Sequence, residues 1–324
     1  MVMRRLGQAV QTDWFGPLIV VVIAVAVIAT FSPSFLSPFN IQILLLAIAV
    51  NCMIAFSQMI IIAIGQMNLA VGAVGGLSAV CFAGMMQVWG LPPIAAAIAA
   101  LAIGLAAGLL NGWLIAATGI PAFVITLASL SIFKGFNLGI TRAQPFYGIP
   151  DSVKAFGNDI FVGPIPWLVV PAALVVAAMT YLLYRQRLGR YILAIGGNRS
   201  SAELSGISVG WVVVAAHAIS GFLAALAGIM LVARLQLGQP SIGEDWLILS
   251  FAAPVIGGAV LAGGHVSVFG TVLGVVVVAI ITQALVIFAI DPFLVQVVLG
   301  ALILWAVGVN RLREIRVERA VRRA

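Results

Sequence analysis

Long apolar runs, broken only by Gly, Pro or a charged residue, restrict this chain more than any other feature. They fall at 14–31, 41–65, 69–89, 94–118, 121–140, 165–184, 210–233, 246–263, 265–290 and 293–310. Each is close to the ~20 residues an α-helix needs to cross ~30 Å of hydrocarbon, where backbone polar groups must be satisfied within the segment. Ten such runs leave little of the 324 residues for a separate soluble domain. Composition agrees: 63% of residues are hydrophobic and 8% charged, whereas a soluble domain is about half apolar and about a quarter charged. The expectation is an all-α polytopic membrane protein of about ten transmembrane helices, with 1–324 forming one membrane domain.

Charge placement sets an orientation. With ten spans both termini share a side, and the segments on that side carry Arg4 and Arg5, then Arg185, Arg187, Arg190 and Arg199, then Arg311, Arg313, Arg316, Arg319, Arg322 and Arg323. The opposite loops hold Arg142, Lys154 and Arg234 beside Asp151, Asp159, Glu244, Asp245 and Asp291. By the positive-inside rule the termini are cytoplasmic. The net charge of +7 is thus membrane-edge charge next to lipid, and no nucleic-acid partner is expected. The run from Trp14 to Phe31 reads as a retained first span, because Ser32-Pro33-Ser34 is a poor cleavage site and the run exceeds a signal core.

Internal similarity is weak. Gly104 to Val124, with Asn111-Gly112 and Ile120-Pro121-Ala122-Phe123-Val124, loosely matches Gly270 to Val295, with Gln283-Ala284 and Asp291-Pro292-Phe293-Leu294-Val295. The copies lie five spans apart. An odd offset is the signature of an inverted repeat, with chance similarity in apolar sequence as the alternative.

No Asp or Glu lies within a predicted span. Ion-coupled carriers usually place a titratable carboxylate near the midplane, so the energy source is expected outside such chemistry. Lys134 reads as snorkelling to an interface and His217 as an interhelical hydrogen-bonding group. Cys52 and Cys81 sit in apolar runs and read as small helix-facing residues rather than a disulfide or metal pair. Nothing suggests a metal site, and no paired His, Asp or Ser groups at helical spacing suggest a catalytic one. The spans do hold uncharged polar groups, including Asn51, Ser57, Gln58, Gln66, Asn68, Asn111, Thr126, Ser129, Asn137, Ser220, Gln283 and Gln296. Each is either interhelical glue or a lining group for a polar, uncharged solute; Asn51, Gln58, Gln66, Asn68, Asn111, Thr126 and Asn137 are the candidates for a path. No GxxxxGK[ST] phosphate loop occurs among the 34 glycines, so no resident cofactor is expected and ATP chemistry by that route falls to another chain. Gly270 and Gly274 form a GxxxG pattern for close helix contact.

The 185–209 segment, Arg185 through Leu188-Gly189-Arg190 to Gly196-Gly197-Asn198-Arg199-Ser200-Ser201-Ala202-Glu203-Leu204-Ser205-Gly206-Ile207, is longer than a turn needs. Asn198 is placed to cap a short helix over Ser200 to Ser205, with Gly206 as its stop. Such a helix is a dock for a soluble partner, or the segment is a basic loop that fixes orientation.

The same loop resembles the cytoplasmic loop of permease subunits of the ribose, xylose and arabinose class of ABC importers. Further stretches match in order: Gly65-Gln66-Met67-Asn68-Leu69-Ala70-Val71-Gly72; Gly112 with Ile120-Pro121-Ala122-Phe123-Val124-Ile125-Thr126-Leu127; Ser220-Gly221 with Ala227-Gly228 and Arg234; and Pro254-Val255-Ile256-Gly257-Gly258 with Gly263-Gly264 and Gly270-Thr271-Val272-Leu273-Gly274. The resemblance covers about residues 35–310. It implies a bacterial inner-membrane subunit that moves a monosaccharide or similar small polar solute. It also implies a separate ATP-binding cassette subunit, a second permease copy or paralogue, and a periplasmic or lipoprotein substrate-binding protein. The ATPase-coupling residues it points to are Asn198, Ser200, Ala202, Glu203, Leu204, Gly206 and Ile207. Asn68, Gln66 and Ala70 stand where the family usually has Asp, Gly and Ser; if that segment touches the solute or shapes the gate, a ligand other than the family's usual pentose is expected. An ion-coupled secondary transporter, or a permease for branched-chain amino acids, nucleosides or a quorum signal, are the alternatives.

Overall fold

The computed structural model describes residues 15–291 and, beyond them, 294, 296–298, 300, 301, 304 and 308. Arg4, Arg5, the basic tail and the 293–310 run as a continuous span lie outside the described residues, as do Pro292, Phe293 and Val295 at the end of the later repeat copy.

The apolar runs become helices: α1 (Phe15–Phe31), α2 (Pro38–Ala63), α3 (Val71–Trp89), α4 (Pro93–Thr118), α5 (Ala122–Thr141), α7 (Val169–Arg185), α10 (Val209–Leu235) and α12 (Val268–Ile287). Among the described residues six helices are long and apolar enough to cross a membrane, namely α2 to α5, α10 and α12. Helix α7 with α8 (Arg187–Gly197) adds a seventh if that pair, bent by 70° at Gln186, is one span. Start and stop signals behave as their chemistry requires. Ser37 Oγ accepts from Asn40 N at 3.3 Å ahead of Pro38, and Ser267 Oγ accepts from Gly270 N at 3.0 Å at the head of α12.

Three features depart from the sequence expectation. The run at 246–263 is not one helix. Its helical part, α11 (Trp246–Ile256), has 11 residues, about 16 Å and roughly half a bilayer core. Gly258, Gly263 and Gly264 then take φ of +91°, +98° and +78°, which break the ladder although Ala259 to Ala262 keep the segment apolar. The freed backbone groups find partners locally and on α2: Ala259 N donates to Pro254 O at 2.9 Å and Gly264 N to Ala63 O at 3.0 Å. The 185–209 segment holds two helices rather than one, α8 and α9 (Arg199–Leu204), because Gly189, Ile192 and Ile195 give α8 a buried face. The stretch after α5 carries α6 (Asp151–Asn158) and a small antiparallel hairpin, β1 (Ile160–Val162) with β2 (Ile165–Pro166).

Helix α2 lies at the centre, with every residue from Cys52 to Ala63 buried. Around it pack α7, α10, α11 and α12, while α4 and α5 leave broad apolar faces exposed for lipid. Small residues let the backbones close up, the main route to helix association where lipid removes any hydrophobic drive. Along the α4–α10 contact, Gly104, Gly108 and Gly112 lie one turn apart, and a Cβ at Gly108 would overlap His217 O. The GxxxG pair does what its spacing promises, since Gly270 meets Gly257 O and Gly274 meets Ala253 O of the α11 segment.

These elements define two ends. One gathers α8, α9 and the breaks at 64–70 and 257–267. The other gathers α6, the hairpin and the 236–245 loop, tied by the Phe146–Gly238 bridge and by Gln42 Nε2 donating to Asn158 O at 3.0 Å.

Candidate functional site

The first end is built on α9. Asn198, extended at φ −159°, accepts from Ser201 N at 2.9 Å through Oδ1 and so caps the helix. Arg199 Nε pairs with Glu203 Oε1 at 3.2 Å, and Ser205 Oγ bonds Ser201 O at 2.8 Å. Gly206, at φ +81°, ends it in the left-handed conformation that Gly adopts without penalty. Ala202 is buried and Ile207 partly so, which seats the helix, while Ser200, Glu203 and Leu204 face outward. Leu204 is 90% exposed, the highest value among the large apolar side chains of the described residues. A presented leucine on a rigid, twice-anchored helix is a surface suited to an apolar groove in a partner.

Helix α9 is joined to the interior through glycines. Gly196, just before its cap, lies so close to α2 and the 257–267 loop that a Cβ there would overlap Ala63 O and Gly264 N. Gly65 contacts Ala262 O in the same way, and Gly264 lies against Gly197. Three broken chain segments therefore meet backbone to backbone at one junction. An adjoining cleft of about 360 Å³ is lined by Gly65, Gln66, Gly196, Asn198 and Arg199.

Gln66 leads inward to a hydrogen-bonded cluster. His217 Nε2 and Gln66 Oε1 are 3.0 Å apart; the other His217 ring nitrogen is buried without a partner among the described residues. The Gln58 amide, oriented to satisfy both groups, donates to Asn68 O at 3.0 Å and accepts from Asn68 N at 3.3 Å. Asn68 Oδ1 accepts from Ala70 N at 2.9 Å, and its Nδ2 donates to Ser220 Oγ at 3.0 Å. Thr126 Oγ1 accepts from Leu69 N at 3.1 Å. Each bond satisfies a backbone or side-chain group freed where α2 gives way to α3.

The expected path residues therefore divide. Gln58, Asn68 and Thr126 are buried and hold the 64–70 break in shape, and Asn111 Oδ1 is buried against Ser129 Oγ at 2.6 Å between α4 and α5. Three line clefts, Asn137 while only 3% exposed itself. Gln66 lines the glycine-junction cleft; Asn137, whose Nδ2 donates to Pro240 O at 3.1 Å, borders a small cleft of about 130 Å³. Asn51 lies in a cleft of about 570 Å³ between α2, α11 and α12. Lys134, read from sequence as snorkelling to an interface, is half exposed and pairs with Glu244 Oε1 at 2.8 Å, which fastens α5 to the 236–245 loop. Arg234, counted from sequence only as a loop charge and as part of the family resemblance and given no site role, lines the Asn51 cleft from the end of α10.

A protein-family model described as "Branched-chain amino acid transport system / permease component" matches residues 40–307. The ribose import permease protein RbsC of Bacillus subtilis (strain 168) is 37% identical over 91% of this chain and 92% of its own length. The D-allose transport system permease protein AlsC of Escherichia coli (strain K12) is 34% identical over 93% and 92%, and the xylose transport system permease protein XylH of Haemophilus influenzae (strain ATCC 51907 / DSM 11121 / KW20 / Rd) 31% over 90% and 95%. No solved structure matches the chain.

Proposed function

The chain belongs to this permease-component family of ABC importers, a multi-pass inner-membrane subunit, and from that premise we propose that it forms the translocation path for a neutral monosaccharide, driven by a separate ATPase. The relatives named for ribose, allose and xylose favour a sugar over the branched-chain amino acid of the family description. In this reading the α8–α9 end is cytoplasmic and the α6–hairpin end receives solute from a binding protein. The chain itself carries out no covalent chemistry and needs no cofactor, and a second permease copy or paralogue completes the path.

One observation carries the proposal: a capped helix presents Leu204 outward and is continuous with the glycine junction of α2, α8 and the 257–267 loop. A push on α9 moves Gly196, and because no side chain cushions that contact, the load passes to Ala63 and Gly264. From there it reaches Gln66 and Asn68, whose bonds hold the break below the path. Dense packing favours two discrete arrangements over gradual deformation.

Glu203→Arg and Gly206→Trp test it. The first replaces the Arg199 partner with a like charge, and the second puts a bulky side chain at φ +81°. In membrane-inserted complexes both variants are expected to lose uptake. Their ATPase partner should either dissociate or hydrolyse ATP without responding to the binding protein. Normal uptake by correctly inserted variants contradicts the docking role of α9.

A further inference from the structure

The Asn51 cleft combines groups that the coupling account does not use. It holds about 570 Å³, within the roughly 300–1,000 Å³ typical of small-molecule sites. Arg234 stands on its wall, fixed in place by its own backbone. Asn158 Nδ2 donates to Arg234 O at 3.3 Å, Asn158 O is held by Gln42, and α10 ends one residue later, with Gln236 at φ +61°. Among the described residues no carboxylate lies within ion-pair distance of the guanidinium. On the same cleft lining, Glu244 is neutralised by Lys134, and Asp245 Oδ1 accepts from Gln296 Nε2 at 3.0 Å. The lining also holds two uncharged amides, Asn51 and Gln283; the Gln283 nitrogen is taken by Asn40 Oδ1, which leaves its carbonyl oxygen to accept.

From this arrangement, and resting on the reading above, we infer that the cleft is a transient binding site for an uncharged polyhydroxylated solute, with Arg234 as its specificity-determining donor. The guanidinium supplies a planar fork of donors for adjacent hydroxyls, and Asn51, Gln283 and Asp245, on the same cleft lining, supply acceptors. The charges cancel: one guanidinium stands against one carboxylate, with the Lys134–Glu244 pair neutral by itself. A sugar phosphate would need surplus positive charge, and a cationic amine surplus negative charge, to offset the desolvation of its ion. A neutral sugar needs neither.

Solute protection of a reporter thiol tests this in the full complex with its ATPase and binding protein in proteoliposomes. The reporter is Ala47→Cys, on the same cleft wall, in a Cys52→Ala, Cys81→Ala background, and Ile54→Cys, 1% exposed, is the buried control. A membrane-impermeant maleimide is expected to label the reporter and not the control. D-ribose, D-allose or D-xylose should slow labelling severalfold, D-ribose 5-phosphate and L-leucine should not, and Arg234→Gln should abolish the slowing. Loss of a charge-assisted contact corresponds to about a tenfold weaker interaction. If Arg234→Gln does not assemble, Arg234→Lys decides: keeping the charge but not the fork, it must weaken protection by the sugars. An unlabelled reporter, equal protection by the phosphate or by leucine, or protection indifferent to residue 234 overturns the site. Labelling is read without ATP, so these outcomes are separate from a wild-type complex that fails to import sugar, which would instead overturn the transport reading.

Discussion

Gly196 shows how much rests on the lack of one methyl group. A side chain there has to displace Ala63 O and Gly264 N, both backbone atoms that cannot rotate away, whereas Gly197 next to it has open space on its Cβ side. Gly196→Val is expected to destabilise the subunit by about 1–3 kcal/mol through overpacking and to stop coupled uptake, while Gly197→Ala is close to neutral. Thermal unfolding in detergent with parallel uptake assays checks this; matched midpoints for the two variants contradict the junction. Asn68 makes a second residue-scale case. Asn68→Leu keeps the size but removes the acceptor for Ala70 N and the donor to Ser220 Oγ, each worth on the order of 1 kcal/mol in a membrane interior. A lowered unfolding midpoint is expected, and an unchanged one contradicts the assigned bonds. At this scale the sequence showed which polar residues enter the spans but not what they meet. Asn68 finds Ser220, 152 positions away, and composition holds no record of that pairing.

Elements were legible where local chemistry decides them. Asn198 and Gly206 bound α9 from sequence alone because a cap and a left-handed stop are properties of those residue types. Asn198→Ala should therefore cost about 1 kcal/mol and raise amide exchange across Ser201 to Ser205 about fivefold, with Asn198→Asp restoring protection. Exchange unaltered in Asn198→Ala contradicts the cap. Helix α8 was missed because its short amphipathic face sits in a basic stretch that reads as loop. The failure of 246–263 to form one helix was hidden for a different reason. Hydropathy reports whether side chains tolerate lipid, and Ala259 to Ala262 do; it says nothing of whether the backbone bonds to its own helix or, as at Gly264, to a neighbour.

For the whole molecule, the sequence established the class and left the assembly of parts to tertiary contact. The ordered set of apolar runs led to a polytopic helical protein, and eight of the runs correspond to helices. What no pattern displayed is that the breaks at 64–70, 196–197 and 257–267 converge, so that one exposed helix is mechanically continuous with the interior. That continuity is why the absence of acidic residues from the spans matters to the proposed function, in which motion is supplied at α9 rather than by protonation within the membrane. The most direct measurement is solute uptake by proteoliposomes containing this chain, its ATPase and its binding protein, with nucleotide and ion gradients varied separately. Uptake that needs hydrolysable ATP inside and survives ionophores is the expected result. Uptake that persists without ATP and collapses with the ion gradient contradicts the account.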